Sequence, residues 1–184
     1  MSDLEQPTDD DGTGVATSQT TAAGPGPTIA PEHYRTVLGH FCTGITVVTA
    51  AGADGPAGFT CQSFSALSLD PPLVLLCPGR TSSSWPRIAA AGAFCVNVLA
   101  DDQEELCRDF ASKKEDKFAG AGWRPGPFTG APVLQGVLAS IECRLETVHD
   151  AGDHFIAVGR VLEMQAGTGR PLLFFRGGYG RFEV

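Results

Sequence analysis

Apolar residues in this chain come in short runs separated by Gly, Pro, Asp and Ser, the rhythm of strands joined by tight turns. "GITVVTA", Gly44 to Ala50, is rich in β-branched residues and predicts a strand. Asp54-Gly55 is a favoured turn pair, so a hairpin leads into a second strand over Ala57–Gln62. The unbroken apolar run Leu73–Cys77 predicts a third strand, compatible with burial on both faces. Phe94–Ala100, a bent Val137–Val148, Phe155–Met164 and Leu172–Phe175 predict four more. Three short helices complete the pattern. Pro31–His40 has its proline in the first turn. "RTSSSWPRIAAAGAF" reads as a serine cap, an early Pro86, an alanine body and a terminating Gly92. "DDQEELCRDFAS" reads as a helix capped by Asp101 or Asp102, with acids at its positive end. Lys113 to Pro132 predicts a long irregular connection. The sum is an all-β-dominated fold with a few short helices, a largely antiparallel barrel.

Composition trims the picture at one end. Residues 1–30 carry Gly, Ser, Thr, Pro and five acids (Asp3, Glu5, Asp9, Asp10, Asp11), with no lysine or arginine before Arg35. Such a stretch buries too little apolar surface to offset its ordering entropy, so a disordered tail is expected there and one folded domain over 31–184. It lacks the positive start and apolar core of a signal peptide, and no run of about 18 apolar residues is present to span a membrane. The expected location is the cytoplasm, with no membrane partner. The formal net charge is −8 and the basic residues are scattered, which argues against a nucleic-acid partner.

Six cysteines (Cys42, Cys61, Cys77, Cys95, Cys107, Cys143) stand far apart, with no C-x-x-C pair. A disulfide framework is not expected, and Cys77 and Cys95 read as small hydrophobes within strands. His33, His40, His149 and His154 make no ligand spacing with them, so no metal site is expected. Neither G-x-G-x-x-G between strand and helix, nor G-x-x-x-x-G-K-[ST], nor G-x-S-x-G occurs, which disfavours a Rossmann site, a phosphate loop and a serine hydrolase.

One stretch fits neither common period. "GFTCQSFSALSLDPPLVLLC", Gly58 to Cys77, sets Thr60, Ser63, Ser65 and Ser68 among apolar residues just before a strand. A Ser-rich turn is the plain reading. The alternative is a loop that meets the polar edge of a flat ring without crowding its face, as a flavin requires. Thr81 to Ser84 could offer N–H groups to a phosphate, with charge from Arg80 or Arg87, or could simply cap a helix. "GDH", Gly152 to His154, is either a surface turn or a nicotinamide contact. Asp116-Lys117-Phe118 and Arg176-Gly177-Gly178-Tyr179 are similarly open.

In order, "FCTGITVVTA", the Gly58–Cys77 stretch, "SSSWPRIAAAGAFCVNVLA", "DKF", "GDH" and "PLLFFRGGYG" resemble the flavin reductase family, the small partners of two-component flavin monooxygenases. The resemblance runs from about Tyr34 to Phe182. It implies an FMN-binding split β-barrel, homodimeric, that takes hydride from NADH or NADPH to FMN or FAD and supplies reduced flavin to a monooxygenase. It also implies roles. Thr43 and Gly44 would lie near the flavin. Thr60, Cys61, Gln62, Ser63, Phe64 and Ser65 would line the ring edge. Ser68, Ser82, Ser83 and Ser84 would serve the ribityl-phosphate end, and Phe118 would help enclose the ring. His154, with Asp153 beside it, would contact the nicotinamide, and Arg176 and Tyr179 would be neighbours. Many relatives carry alanine and asparagine or serine where this chain has Cys61 and Gln62, which leaves FMN against FAD open. Rival readings are a flavin carrier or sensor without catalysis, a pyridoxal-phosphate-forming oxidase, disfavoured by the lack of a basic cluster, and a structural dimerisation barrel.

Overall fold

The computed structural model describes residues 26, 28–114 and 116–182. The tail expected over residues 1–30 therefore lies, apart from residues 26 and 28–30, outside the described residues. In chain order the elements are α1 (Pro31–Leu38), β1 (Thr43–Gly44), β2 (Thr46–Gly52), β3 (Gly55–Cys61), β4 (Phe64–Ser68), β5 (Leu73–Leu76), α2 (Trp85–Ala91), β6 (Ala93–Val98), α3 (Glu104–Ala111), β7 (Trp123–Pro125), β8 (Pro132–Leu134), β9 (Ala139–Ala151), β10 (His154–Ala166), β11 (Leu172–Phe175) and β12 (Gly178–Arg181).

Seven strands form one antiparallel sheet in the order β3-β2-β6-β9-β10-β5-β4. Its two edge strands, β3 and β4, are consecutive in sequence and joined only through Gln62 and Ser63. The sheet therefore curls until its ends meet at one corner. It does not close, because no ladder joins β3 to β4 among the described residues. The largely antiparallel, strand-dominated fold expected from the turn rhythm is present, as a curled sheet that stays open at this corner.

Around β2 and β6 the sheet is buried on both faces, which is why β2 reads as a run of apolar and Thr residues and not as an alternation. Inside the curl, Val48, Ala50, Val74, Leu76, Phe94, Val96 and Ala157 pack with Trp85 and Ile88 of α2. On the outer face Ile45, Val47, Leu99 and Leu172 pack with Cys107 and Phe110 of α3. Each large side chain so buried contributes about 1.5–3 kcal/mol. Asn97 is fully buried between these layers and fully used. Its Nδ2 donates to Val47 O (3.1 Å) and Thr49 Oγ1 (3.1 Å), and its Oδ1 accepts the Leu134 N–H (2.9 Å), tying β8 to the sheet.

Several expectations are corrected. α1 stops at Leu38, two residues before His40. Gly44 belongs not with β2 but to β1, which pairs with β11. The hydroxyl stretch is not all loop: Phe64–Ser68 is an edge strand paired to β5. Neither Asp101 nor Asp102 occupies the α3 N-cap position, which is Gln103; its Oε1 accepts the Ala100 N–H (3.0 Å) and its Nε2 donates to Gln135 O (2.8 Å). The long connection holds β7, paired to β8. The C-terminal "loop" is a hairpin, β11–β12, turning on Arg176 (φ 51°) and Gly177 (φ 83°). A two-residue turn with both φ positive matches the twist of the flanking strands, and glycine bears that backbone without cost. The bend expected in β9 is present as two register shifts against β10.

Candidate functional site

The open corner of the sheet is where several of the residues singled out from sequence gather. Thr43 and Gly44 come from β1, on the small sheet with β11 and β12; Gln62 and Ser63 come from the β3–β4 joint; Phe64 and Ser65 come from β4. Thr43–Gly44 and the unbroken stretch Gln62–Ser65, remote from each other in sequence, line one cavity of about 620 Å³. Ile45, Leu75 and Val98 give it apolar walls. Gln62, Ser63 and Ser65 add polar groups to the lining. Ser63 Oγ donates to Cys77 O (3.1 Å), Ser63 O accepts the Cys77 N–H (3.1 Å), and Ser65 Oγ donates to Ala66 O (3.0 Å). The exposed amide of Gln62 stands at the corner itself. Phe41, Cys42, Thr46 and Cys77 also line the cavity and were not singled out from sequence. Thr46 could have been, since it follows Gly44 on the same run.

Two residues of the predicted ring edge face elsewhere. Strand parity decides this: Gly58 and Thr60 point outward to α3, while Ala57, Phe59 and Cys61 point into the curl. Thr60 Oγ1 accordingly donates to Cys107 O (2.7 Å). Cys61 is buried, 3.4 Å from Ser63 Oγ, and burial pushes its thiol up. Ser68 ends β4 after a register shift and lines neither cavity.

A second, larger cavity of about 890 Å³ takes Ser83, Ser84 and Phe118, with Arg87, Lys113, Lys114 and Trp123 around them. Ser84 is committed to the fold: it is buried, and its Oγ donates to Gly58 O (2.7 Å). Lys117 reaches the same place, its Nζ donating to Gly58 O (3.3 Å), Ser84 Oγ (3.4 Å) and Phe110 O (3.0 Å). Partial burial lowers its pKa. Ser84 holds the α2 N-cap position without a capping bond from its hydroxyl, while Ser82 Oγ accepts the Trp85 N–H (3.2 Å). Ser83 is exposed and faces the cavity. Asp116 Oδ1 accepts the N–H groups of Phe118 and Ala119 (2.9 and 3.0 Å), and Phe118 stands edge-on to Phe110 at 4.9 Å. Strand β3 runs between the cavities; from Gly58 at one to Gln62 at the other is about 13 Å by strand rise.

His154 opens β10 beside the smaller cavity. It bridges to Gly79, and the Phe155 N–H donates to Pro78 O (2.9 Å), next in chain to the cavity-lining Cys77. The turn before it is fastened by Arg80, whose Nε donates to Gly152 O (2.8 Å), whose N–H donates to Asp153 O (3.0 Å) and whose guanidinium pairs with Asp150 (2.5 Å). Arg80 is thus spent on the turn and not free for a phosphate. His154 Nδ1 lies 2.8 Å from Asp153 Oδ1, and this hydrogen bond holds the Asp153 carboxyl below the usual aspartate range. The ring is half exposed. Arg176 and Tyr179 line neither cavity. The Arg176 N–H donates to Gly39 O (2.8 Å). Tyr179 Oη lies 3.4 Å from Cys107 Sγ beneath the Arg108 guanidinium, and burial first, with that contact, pushes its phenol up to about 12.

Residues 38–183 match the family described as flavin reductase like domain. The reductase subunit of a flavin-dependent monooxygenase from Rhodococcus jostii is 54% identical over 156 residues, 84% of this chain and 80% of that protein. Nitrilotriacetate monooxygenase component B from Mycobacterium thermoresistibile superposes with a TM-score of 0.80 at 49% identity, covering 83% of this chain and 86% of that one. An NADH:FAD oxidoreductase from Streptomyces globisporus, solved in complex with NAD and FAD fragments, gives a TM-score of 0.80 at 36% identity, covering 86% and 98%.

Proposed function

This chain belongs to the flavin reductase like family, and on that basis we propose that it is an NAD(P)H:flavin oxidoreductase that passes reduced flavin to a partner monooxygenase. The observation that carries the reading is the meeting of Thr43–Gly44 with Gln62–Ser65 on one cavity of about 620 Å³. A lining that joins apolar walls to a few polar groups suits a ring with apolar faces and a hydrogen-bonding edge. Flavin bound there supplies the redox chemistry, accepting hydride from a nicotinamide.

The chain's own residues bind and orient. Leu75, Val98 and Phe64 hold the ring faces, while the Gln62 amide and the Ser63 and Ser65 hydroxyls serve the edge. Ser83, with the cationic rim of the larger cavity, serves the phosphate end, in line with β3 between them. Thr60, Cys61 and Ser84 act through the backbone they fasten. His154, kept in place by Arg80 and Asp153, meets the nicotinamide. FMN and FAD are both accommodated by this assignment, with NADH the favoured donor.

A split-barrel homodimer acting in the cytoplasm, with residues 31–184 as its domain, completes the reading. Apolar side chains on the outer face of β4 and β10 support a second copy there: Leu67, Ile156, Leu162 and Met164 are exposed, and Leu69 beyond β4 is 92% exposed. Sedimentation of the purified chain tests the dimer. The activity is tested by NADH and NADPH consumption at about 340 nm with FMN, FAD or riboflavin added. Flavin-dependent oxidation is expected, and its absence with every pairing removes the enzyme reading.

A further inference from the structure

Four of the six cysteines are sealed in the core: Cys61, Cys95, Cys107 and Cys143 are at most 4% exposed. Burial pushes Cys95 and Cys143 up to about 12. The remaining two, exposed Cys42 and half-buried Cys77, come from distant parts of the chain and line the same 620 Å³ cavity. Nothing in the flavin reading uses their sulfurs.

From this juxtaposition we propose that the smaller cavity is a covalent capture site for flat, unsaturated carbonyl compounds of the quinone or aryl-maleimide kind, with Cys42 and Cys77 as nucleophiles. The proposal rests on the reading of this cavity as the flavin-ring site, because capture then shuts out flavin. The walls that suit one flat apolar ring, Phe64, Leu75 and Val98, concentrate another beside the thiols. Holding the two reactants together raises the rate of addition without any change in the thiol itself. The reacting form is the thiolate. Its sulfur forms a bond to the β-carbon as the carbon–carbon π bond breaks. That electron pair passes to the carbonyl oxygen, and the α-carbon takes up the proton the thiol gave to solvent. No leaving group departs and no outside oxidant enters. The adduct occupies the space between β1 and β4.

The test compares labelling by N-phenylmaleimide with labelling by a polar maleimide, with peptide mapping by mass spectrometry and glutathione as the reference thiol. The expected result is labelling of Cys42 and Cys77 with the four core cysteines spared. The preference for the phenyl reagent should exceed that of glutathione by about tenfold, as burial of a ring face allows. Saturating FMN should slow both sites, and Cys42→Ser with Cys77→Ser should abolish the selective labelling. A preference equal to glutathione's, or labelling spread over the core cysteines, overturns the proposal and leaves the flavin reading untouched. Selective labelling that FMN fails to slow upholds the thiol site and overturns the placement of flavin in this cavity.

Discussion

Gly58→Ala probes the joint between fold and site. A Cβ at position 58 would lie 2.6 Å from Phe110 Cε1, 2.9 Å from Phe110 Cδ1 and 3.2 Å from Val48 O. Carbon contacts settle near 3.5–4.0 Å, so the overlap is about one ångström. Phe110 cannot swing into solvent, being fully buried and edge-on to Phe118 at 4.9 Å. Either the ring moves and carries Phe118 with it, or β3 moves and strains the bonds that Gly58 O accepts from Ser84 and Lys117. Overpacking of this kind costs about 1–3 kcal/mol, and replacing a strand glycine by alanine returns about 0.5–1. The net loss is at most about 2.5 kcal/mol, or up to about 10 °C in Tm for a domain of this size. Urea unfolding of the wild type, Gly58→Ala, Phe110→Leu and the double variant measures it. Because leucine lacks the outer ring atoms, Gly58→Ala should cost about 1 kcal/mol less in the Phe110→Leu background. An equal penalty in both backgrounds, or a more stable single variant, would refute the contact and the packing account built on it.

Three further outcomes follow from the same structure. Asn97→Ala leaves the buried Leu134 N–H without its acceptor and should lower stability by about 1–3 kcal/mol in urea; a change under about 0.5 would mean β8 is held by other means. Glu146 is bonded twice by Arg160 (2.6 and 2.7 Å), which holds its carboxyl below the ordinary 4.5. A depressed carboxylate lends stability above its unfolded pKa and loses it as pH falls through the lowered value, so Glu146→Gln should flatten the acid limb of Tm against pH below about 4.5; parallel limbs would show the pair contributes nothing. His154→Ala should raise the KM for NADH several-fold while leaving flavin affinity, read by fluorescence, unchanged; loss of both together would make His154 a structural residue of the turn.

How much of this was legible in the sequence depended on which force shaped each segment. Strands β2, β5, β6 and β11 were readable because burial had written runs of apolar residues there. β4 was not, because an edge strand with one open face tolerates Ser65 and Ser68 where a core strand would not. β12 escaped because Gly-Tyr-Gly offers no alternation, its pairing being imposed by the turn at Arg176-Gly177. In the candidate site, Gln62 to Ser65 and Thr43–Gly44 line one cavity, as the family resemblance implied they would lie together, whereas Thr60 and Ser84, given roles by the same resemblance, are turned to the fold. Their hydroxyls were already claimed by Cys107 O and Gly58 O, which only tertiary packing reveals. Cys42 and Cys77 carried no signal, since their meeting is a product of the sheet's curl.

That curl has a consequence for divergence. Gln62 and Ser63 belong to no ladder, yet they stand between the first and last strands of the main sheet and beneath the cavity. Which strands pair is settled by backbone and by residues on either side. Replacing Gln62, which is exposed, therefore alters the cavity lining while every strand ladder is kept, whereas Ser63 also fastens the joint to Cys77. Chains sharing one scaffold can thus differ in the lining of this corner by a single codon.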